Sequence, residues 1–172
     1  HPEEVCQGGL GDCWMISALS ILALKPERIE RLIVNTRDET HNVSASRHGV
    51  YCVRICKNGY WQNVYIDDYL PMRSPGNLQY AKCRNKEELW VPLIEKAFAK
   101  AHGSFEAIEG GFVHEALQDL TGPQATGYTI HLKTDGAADE MWKAARDAYD
   151  SGYMLGLGSN SGKDTDFSDQ GI

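Results

Sequence analysis

Residues 13–25, CWMISALSILALK, are apolar nearly all the way round a helix, and they follow directly on a glycine-rich turn, QGGLGD. A helix without a polar face is stable only when other elements cover it from every side. This one must therefore lie in the middle of a domain, with the remaining elements built around it. The turn governs how it starts: Gly11 permits a tight entry, and Asp12 stands where an N-cap would, one residue before Cys13. At 172 residues the chain is in the one-domain range and can bury such a helix in a real core.

The elements available to cover it can be read in order. Pro26 suits the first turn of a second helix, PERIERLIV, with Ile29, Leu32 and Ile33 on one face. The polar run NTRDETHNVSASRH reads as a surface loop. Next, VYCVRIC and YWQNVYIDDYLP flank KNGY, and Asn-Gly between β-rich runs predicts a hairpin. RSPGN is a turn. In NKEELWVPLIEKAFAKAHG, Trp90, Ile94, Ala97, Phe98 and Ala101 recur at helical spacing, with Pro92 near the first turn and Gly103 at the end. GSFEAIEGG reads as a connector and FVHEALQDLTG as an amphipathic helix. A strand GYTIHL, a helix DEMWKAARDAYDSG, a strand YMLGLG and a Ser-, Gly- and Asp-rich tail complete an α+β order.

Composition narrows the function. The net charge is −7 with no block of lysines or arginines, which argues against a nucleic-acid partner. No apolar run approaches the ~18 residues a membrane span needs. HPEEV lacks the regions of a signal peptide. Five cysteines cannot all pair and are too few for a disulfide-dense scaffold, so a reducing, cytoplasmic setting is expected. Cys52 and Cys56 share one face of a strand, but zinc would need two more ligands at suitable spacing, and two buried hydrophobes is the better reading.

Chemistry concentrates at Cys13. A thiol acts as a nucleophile only as thiolate, and a helix N-terminus favours that form. Cys13 stands at a helix start; Cys6 has no helix behind it. Acyl transfer through a thiolate also makes an oxyanion, which needs donors already in place. The Cys13 N–H is one candidate, and the Gln7 amide, carried back by Gly8, Gly9 and Gly11, is a second.

QGGLGDCW resembles the active-site signature of the calpains, papain-like cysteine endopeptidases, whose pattern is Gln-Gly-x-x-Gly-Asp-Cys-Trp. The likeness continues through GYWQNVYIDDYLP, ELWVPLIEKAFAKAHGSFEAIEGG and ALQDLTG, in order, over most of residues 6–122. The resemblance implies a papain-like fold with a Cys-bearing central helix, packed with further helices and short antiparallel strands. It implies Cys13 as nucleophile, Gln7 as oxyanion donor, Trp14 packed beside the nucleophile, and Gly110 and Gly111 pairing with an extended protein substrate. Residues 1–111 would form the first protease subdomain and 112–172 the start of the second. Two acidic ligands of a calcium site would fall on Glu4 and Glu88, while an arginine that helps couple the calcium sites would align with Pro2.

A cysteine protease also needs a histidine base and a group that orients it. None of His1, His41, His48, His102, His114 and His131 stands in the Gly-His-Ala motif of the family, and no Asn-Pro-Trp follows. The expectation is a core truncated before its His and Asn, inactive alone, with the rest of the protease core as its partner. Two rivals are a catalytically dead calpain-like scaffold and a transglutaminase-type acyl transferase.

Overall fold

The computed structural model describes residues 1–34, 49–128 and 136–158. The polar run with His41 and His48, most of GYTIHL with His131, and the tail from residue 159 lie outside the described residues.

Helix α1, Cys13–Leu22, is the centre of the core. It buries Trp14, Met15, Ile16, Ala18, Leu19 and Leu22, but it is not covered all round: Cys13 and Ser17 are exposed and Ser20 and Ile21 half-buried along one side. Helix α2 is shorter than the sequence suggests, Pro26–Glu30. The β-branched Ile33 and Val34 that follow leave the helix and run beside the first long strand. Val34 N donates to the Cys52 carbonyl and Arg54 N to the Leu32 carbonyl, at 2.9 and 2.8 Å. Tertiary pairing has overridden a helical pattern that only Ile29, Leu32 and Ile33 supported.

A two-residue strand β1, Val5–Cys6, precedes α1. The hairpin forms as read: β2, Val50–Lys57, pairs antiparallel with β3, Tyr60–Asp67. Its two turn residues, Asn58 and Gly59, have φ of 53° and 81°, the left-handed pair that matches the twist of two antiparallel strands. Cys52 and Cys56 are both buried, on the face of β2 opposite the core residues Tyr51, Val53 and Ile55. Two shorter pairings had no clear signal in the sequence. Strands β4, Met72–Ser74, and β5, Asn77–Leu78, close over Pro75-Gly76. Strand β6, Lys82–Cys83, pairs back onto β1, Val5 opposite Cys83.

Helix α3, Trp90–His102, has Pro92 in its first turn and ends at Gly103, φ 114°. The connector holds a single 3-10 turn, Glu106–Ile108, before helix α4, Val113–Thr121. Helix α4 buries Ala116, Leu117 and Leu120 in the same core as α1 and packs on α1 and β2. Where α3, α4 and β2 meet, Lys57 and His102 both bond to Asp119, each at 3.1 Å, and Lys57 Nζ also contacts His102 Nε2. Burial alone would raise the Asp119 carboxyl, but the bonds from His102 and Lys57 outweigh it and hold the carboxyl below its usual range.

Helix α5, Ala137–Asp150, carries no buried residue. The run 153–158, expected as a strand, forms none: the described residues offer it no partner ladder. Among the described residues no helix is long and apolar enough to cross a membrane.

Candidate active site

The site is built from three stretches brought together by α1. The turn 7–12 leads into Cys13. Gly8 presses on the backbone of Tyr80 so closely that a Cβ would sit 2.1 Å from it, and Gly9 N donates to the Gln79 carbonyl at 2.9 Å. The glycines are there because backbone meets backbone. Across this turn the Gln7 amide nitrogen donates to the Leu10 carbonyl at 2.8 Å, which folds the side chain back towards the helix start. An amide nitrogen carries two hydrogens, so one remains for a ligand.

Cys13 is the first residue of α1, and its side chain is exposed. Backbone N–H groups at a helix start have no carbonyl partner within the helix, and the positive end of the dipole lies there. The remaining thiols are less accessible. Cys6 is half-buried, while Cys52, Cys56 and Cys83 are buried, and burial pushes the Cys83 thiol up to about 11.

The second stretch is the glycine pair. Gly110 N donates to the Gly11 carbonyl at 2.9 Å, tying the pair to the turn before Cys13. Trp14 fixes it from below. Its indole N–H donates to the Ile108 carbonyl at 2.9 Å, and its ring lies under Gly111, where a Cβ would come within 2.5 Å of it. Trp14 is itself buried, edge-on to Phe98 of α3 at 5.6 Å. It therefore supports the glycine pair from inside the core, with its ring turned away from solvent.

The third element is one that pattern reading missed. Asp12 holds the N-cap position, and its carbonyl accepts from Met15 N and Ile16 N, but its side chain makes no capping bond. The carboxyl is instead turned inward and wholly buried, beside Glu95 of α3, which is 1% exposed. A glutamate on the apolar face of α3, in LIEKAF, was the available signal.

The described histidines lie elsewhere. His102 is held by Phe98, Asp119 and Lys57; His114 packs on Phe112 and against Gly127. Among the described residues no hydrogen bond joins a histidine to Cys13.

Glu4 and Glu88 both meet Asn85, whose N–H donates to the Glu4 carboxylate and whose carbonyl accepts from Glu88 N at 3.1 Å. Glu4 Oε2 accepts from Asn85 N at 2.7 Å and Glu88 Oε2 from the Trp90 indole at 2.9 Å. Oxygen donors are the right type for calcium, but the pair supplies two of the roughly six to eight oxygens such an ion takes. No cluster of three or more His, Cys, Asp or Glu that could hold a metal occurs among the described residues. Backbone carbonyls would have to supply the remainder.

Residues 1–171 match the family described as calpain family cysteine protease. The whole chain is 42% identical to the calpain-type cysteine protease DEK1 of Arabidopsis thaliana and 41% identical to ADL1 of Oryza sativa subsp. japonica, spanning 8% of the length of each. It is 35% identical over 89% of its length to human calpain-12, of which it spans 20%.

Proposed function

Since the chain belongs to the calpain family of cysteine proteases, we propose that it is the nucleophile-bearing part of an endopeptidase core that cuts proteins at extended segments. The observation that carries this reading is the exposed Cys13 at the start of a buried helix, its turn bonded to the glycine pair through Gly11 and Gly110. In the reaction the Cys13 thiolate attacks the scissile carbonyl carbon. The developing oxyanion accepts hydrogen bonds from the Cys13 N–H and the second N–H of Gln7. The amine leaves with a proton supplied by a histidine in the remaining subdomain, and water then releases the acyl group from sulfur. Gly110 and Gly111 offer backbone groups to the extended substrate, as in strand addition.

In this reading residues 1–111 form the first subdomain and 112–172 begin the second, with α4 packed on α1 and β2 at their junction. The chain by itself then hydrolyses little or no peptide. Its nucleophile is tested by treating it near neutral pH with a peptidyl epoxysuccinate and mapping the adduct by mass. Selective labelling of Cys13, absent in Cys13→Ser, is the expected result; labelling no faster than that of Cys83 would overturn a site preformed in this segment.

Calcium belongs to the same proposal, with Glu4 and Glu88 as the side chains that would hold it. Titration calorimetry of the chain with calcium, repeated on Glu88→Ala, should show heat that the substitution removes. Identical titrations of the two would reject the assignment.

A further inference from the structure

We propose that Asp12 and Glu95 share one proton, and that the resulting carboxyl–carboxylate bond pins the start of the nucleophile helix to α3, making both positioning residues for Cys13. The role rests on Cys13 being the nucleophile; the shared proton does not.

The geometry leaves few alternatives. Asp12 is wholly buried, and neither of its oxygens has a well-formed hydrogen bond from another residue's N–H, hydroxyl or cation; the one N–H near it is its own. Glu95, 1% exposed, accepts from Ala81 N through both of its oxygens, each at 3.0 Å, and from no cation. The side-chain partner left to each carboxyl is the other. Two carboxylates cannot bond to one another, since each only accepts; they can when one keeps its hydrogen. Two bare carboxylates at this depth would bear the desolvation of both charges and their mutual repulsion. With one proton, Glu95 O–H donates to an Asp12 oxygen, and the Ala81 N–H still serves Glu95. Burial, with Asp12 adding to it, pushes the Glu95 carboxyl up to about 8, and burial raises Asp12 as well.

Other charged groups around the pair are engaged elsewhere or face outward. On α3, Lys96 bonds to Asp67 and Tyr69, Lys100 to the Tyr65 carbonyl, and His102 to Asp119. Cys83 of β6 is buried, and Glu4 and Glu88 act on it only as distant charges. Glu109 lies beside Gly11 at the surface, and Cys13 is exposed on α1. Asp119 of α4 is taken by Lys57 and His102.

The consequence for chemistry follows from adjacency. Asp12 immediately precedes Cys13, so losing the proton frees the turn that orients the thiol and the first N–H groups of α1. Thiol reactivity should then rise with pH as thiolate forms and fall again as the pair ionises.

Three readouts test this. In the Cys13→Ser chain, carbon-13 NMR of labelled Asp and Glu side chains should show one of the two carboxyls protonated at neutral pH; both ionised would overturn the proposal. Glu95→Gln supplies a permanent donor to Asp12, and Asp12→Asn supplies one to Glu95, so either variant keeps the bond without a titrating proton. A group whose pKa is raised on folding costs stability as pH climbs from its unfolded value to its folded one. The ratio of folding constants, wild type over Glu95→Gln, should therefore fall by up to about tenfold per pH unit between roughly 4.5 and 8; a ratio independent of pH would refute the shared proton. If neither variant folds, the NMR titration of the unsubstituted pair decides. Finally, Cys13 alkylation in the otherwise unmodified chain should lose its alkaline decline in Glu95→Gln. An unchanged profile would reject the positioning role while leaving the proton measured. Cys13 inert in every form would sink the nucleophile reading, and the positioning role with it.

Discussion

At the scale of single residues, the site is defined by places where a side chain is missing or misplaced relative to habit. Gly111 lies on the Trp14 ring, where a Cβ would approach to 2.5 Å. Gly111→Ala should therefore destabilise the chain by roughly 1–3 kcal/mol, the usual range for overpacking, measured by urea unfolding. The same denaturation on Gly110→Ala reads a different cause, since that position has open space but a φ of 78°. The position of Cys13 at a helix start and the tight glycine turn before it were legible in the sequence, because the apolar run begins there and close backbone approach demands glycine. Asp12 was legible only as a cap. Its true setting depends on Glu95, more than eighty positions later, and no local pattern announces a contact between two acids.

At the scale of elements, agreement was best where local and tertiary preferences coincide. The β2–β3 hairpin is the clearest case, since alternating burial on β3 and a left-handed Asn-Gly pair both specify one register. Gly59→Ala should cost ~1–2 kcal/mol, the penalty for a side chain in the left-handed region, read from the unfolding midpoint. Helix α3 was equally readable from its period, Pro92 and Gly103. Helix α2 was not: its last residues had helical spacing, but the edge of β2 offered Leu32 and Val34 hydrogen bonds that a short surface helix could not match. The β1–β6 and β4–β5 pairs are two or three residues long, too short for any alternation to show.

At the scale of the whole molecule, acid titration should report the junction of α3, α4 and β2. Asp119 is held low by His102 and Lys57, so its stabilisation is present above the ordinary aspartate range and lost as pH falls through its folded value. Asp119→Asn should flatten the acid limb of the stability profile while leaving the limb governed by Glu95 in place. Strand β1 has a different kind of consequence, one of time. Val5 pairs with Cys83 across nearly half the chain, and the turn at residues 7–12 rests on Gln79 and Tyr80. Contacts so distant in sequence close slowly, because the loop entropy is lost before the contact returns anything. A growing or refolding chain will hold the helix and its sulfur well before it holds the turn that aims them. Pulsed alkylation during refolding should find Cys13 no more reactive than an unfolded thiol in the early phase, and distinct only once Lys82–Cys83 has docked. If Cys13 is the nucleophile proposed above, the order of folding would act as a safety catch, arming the thiol only after its own scaffold is complete.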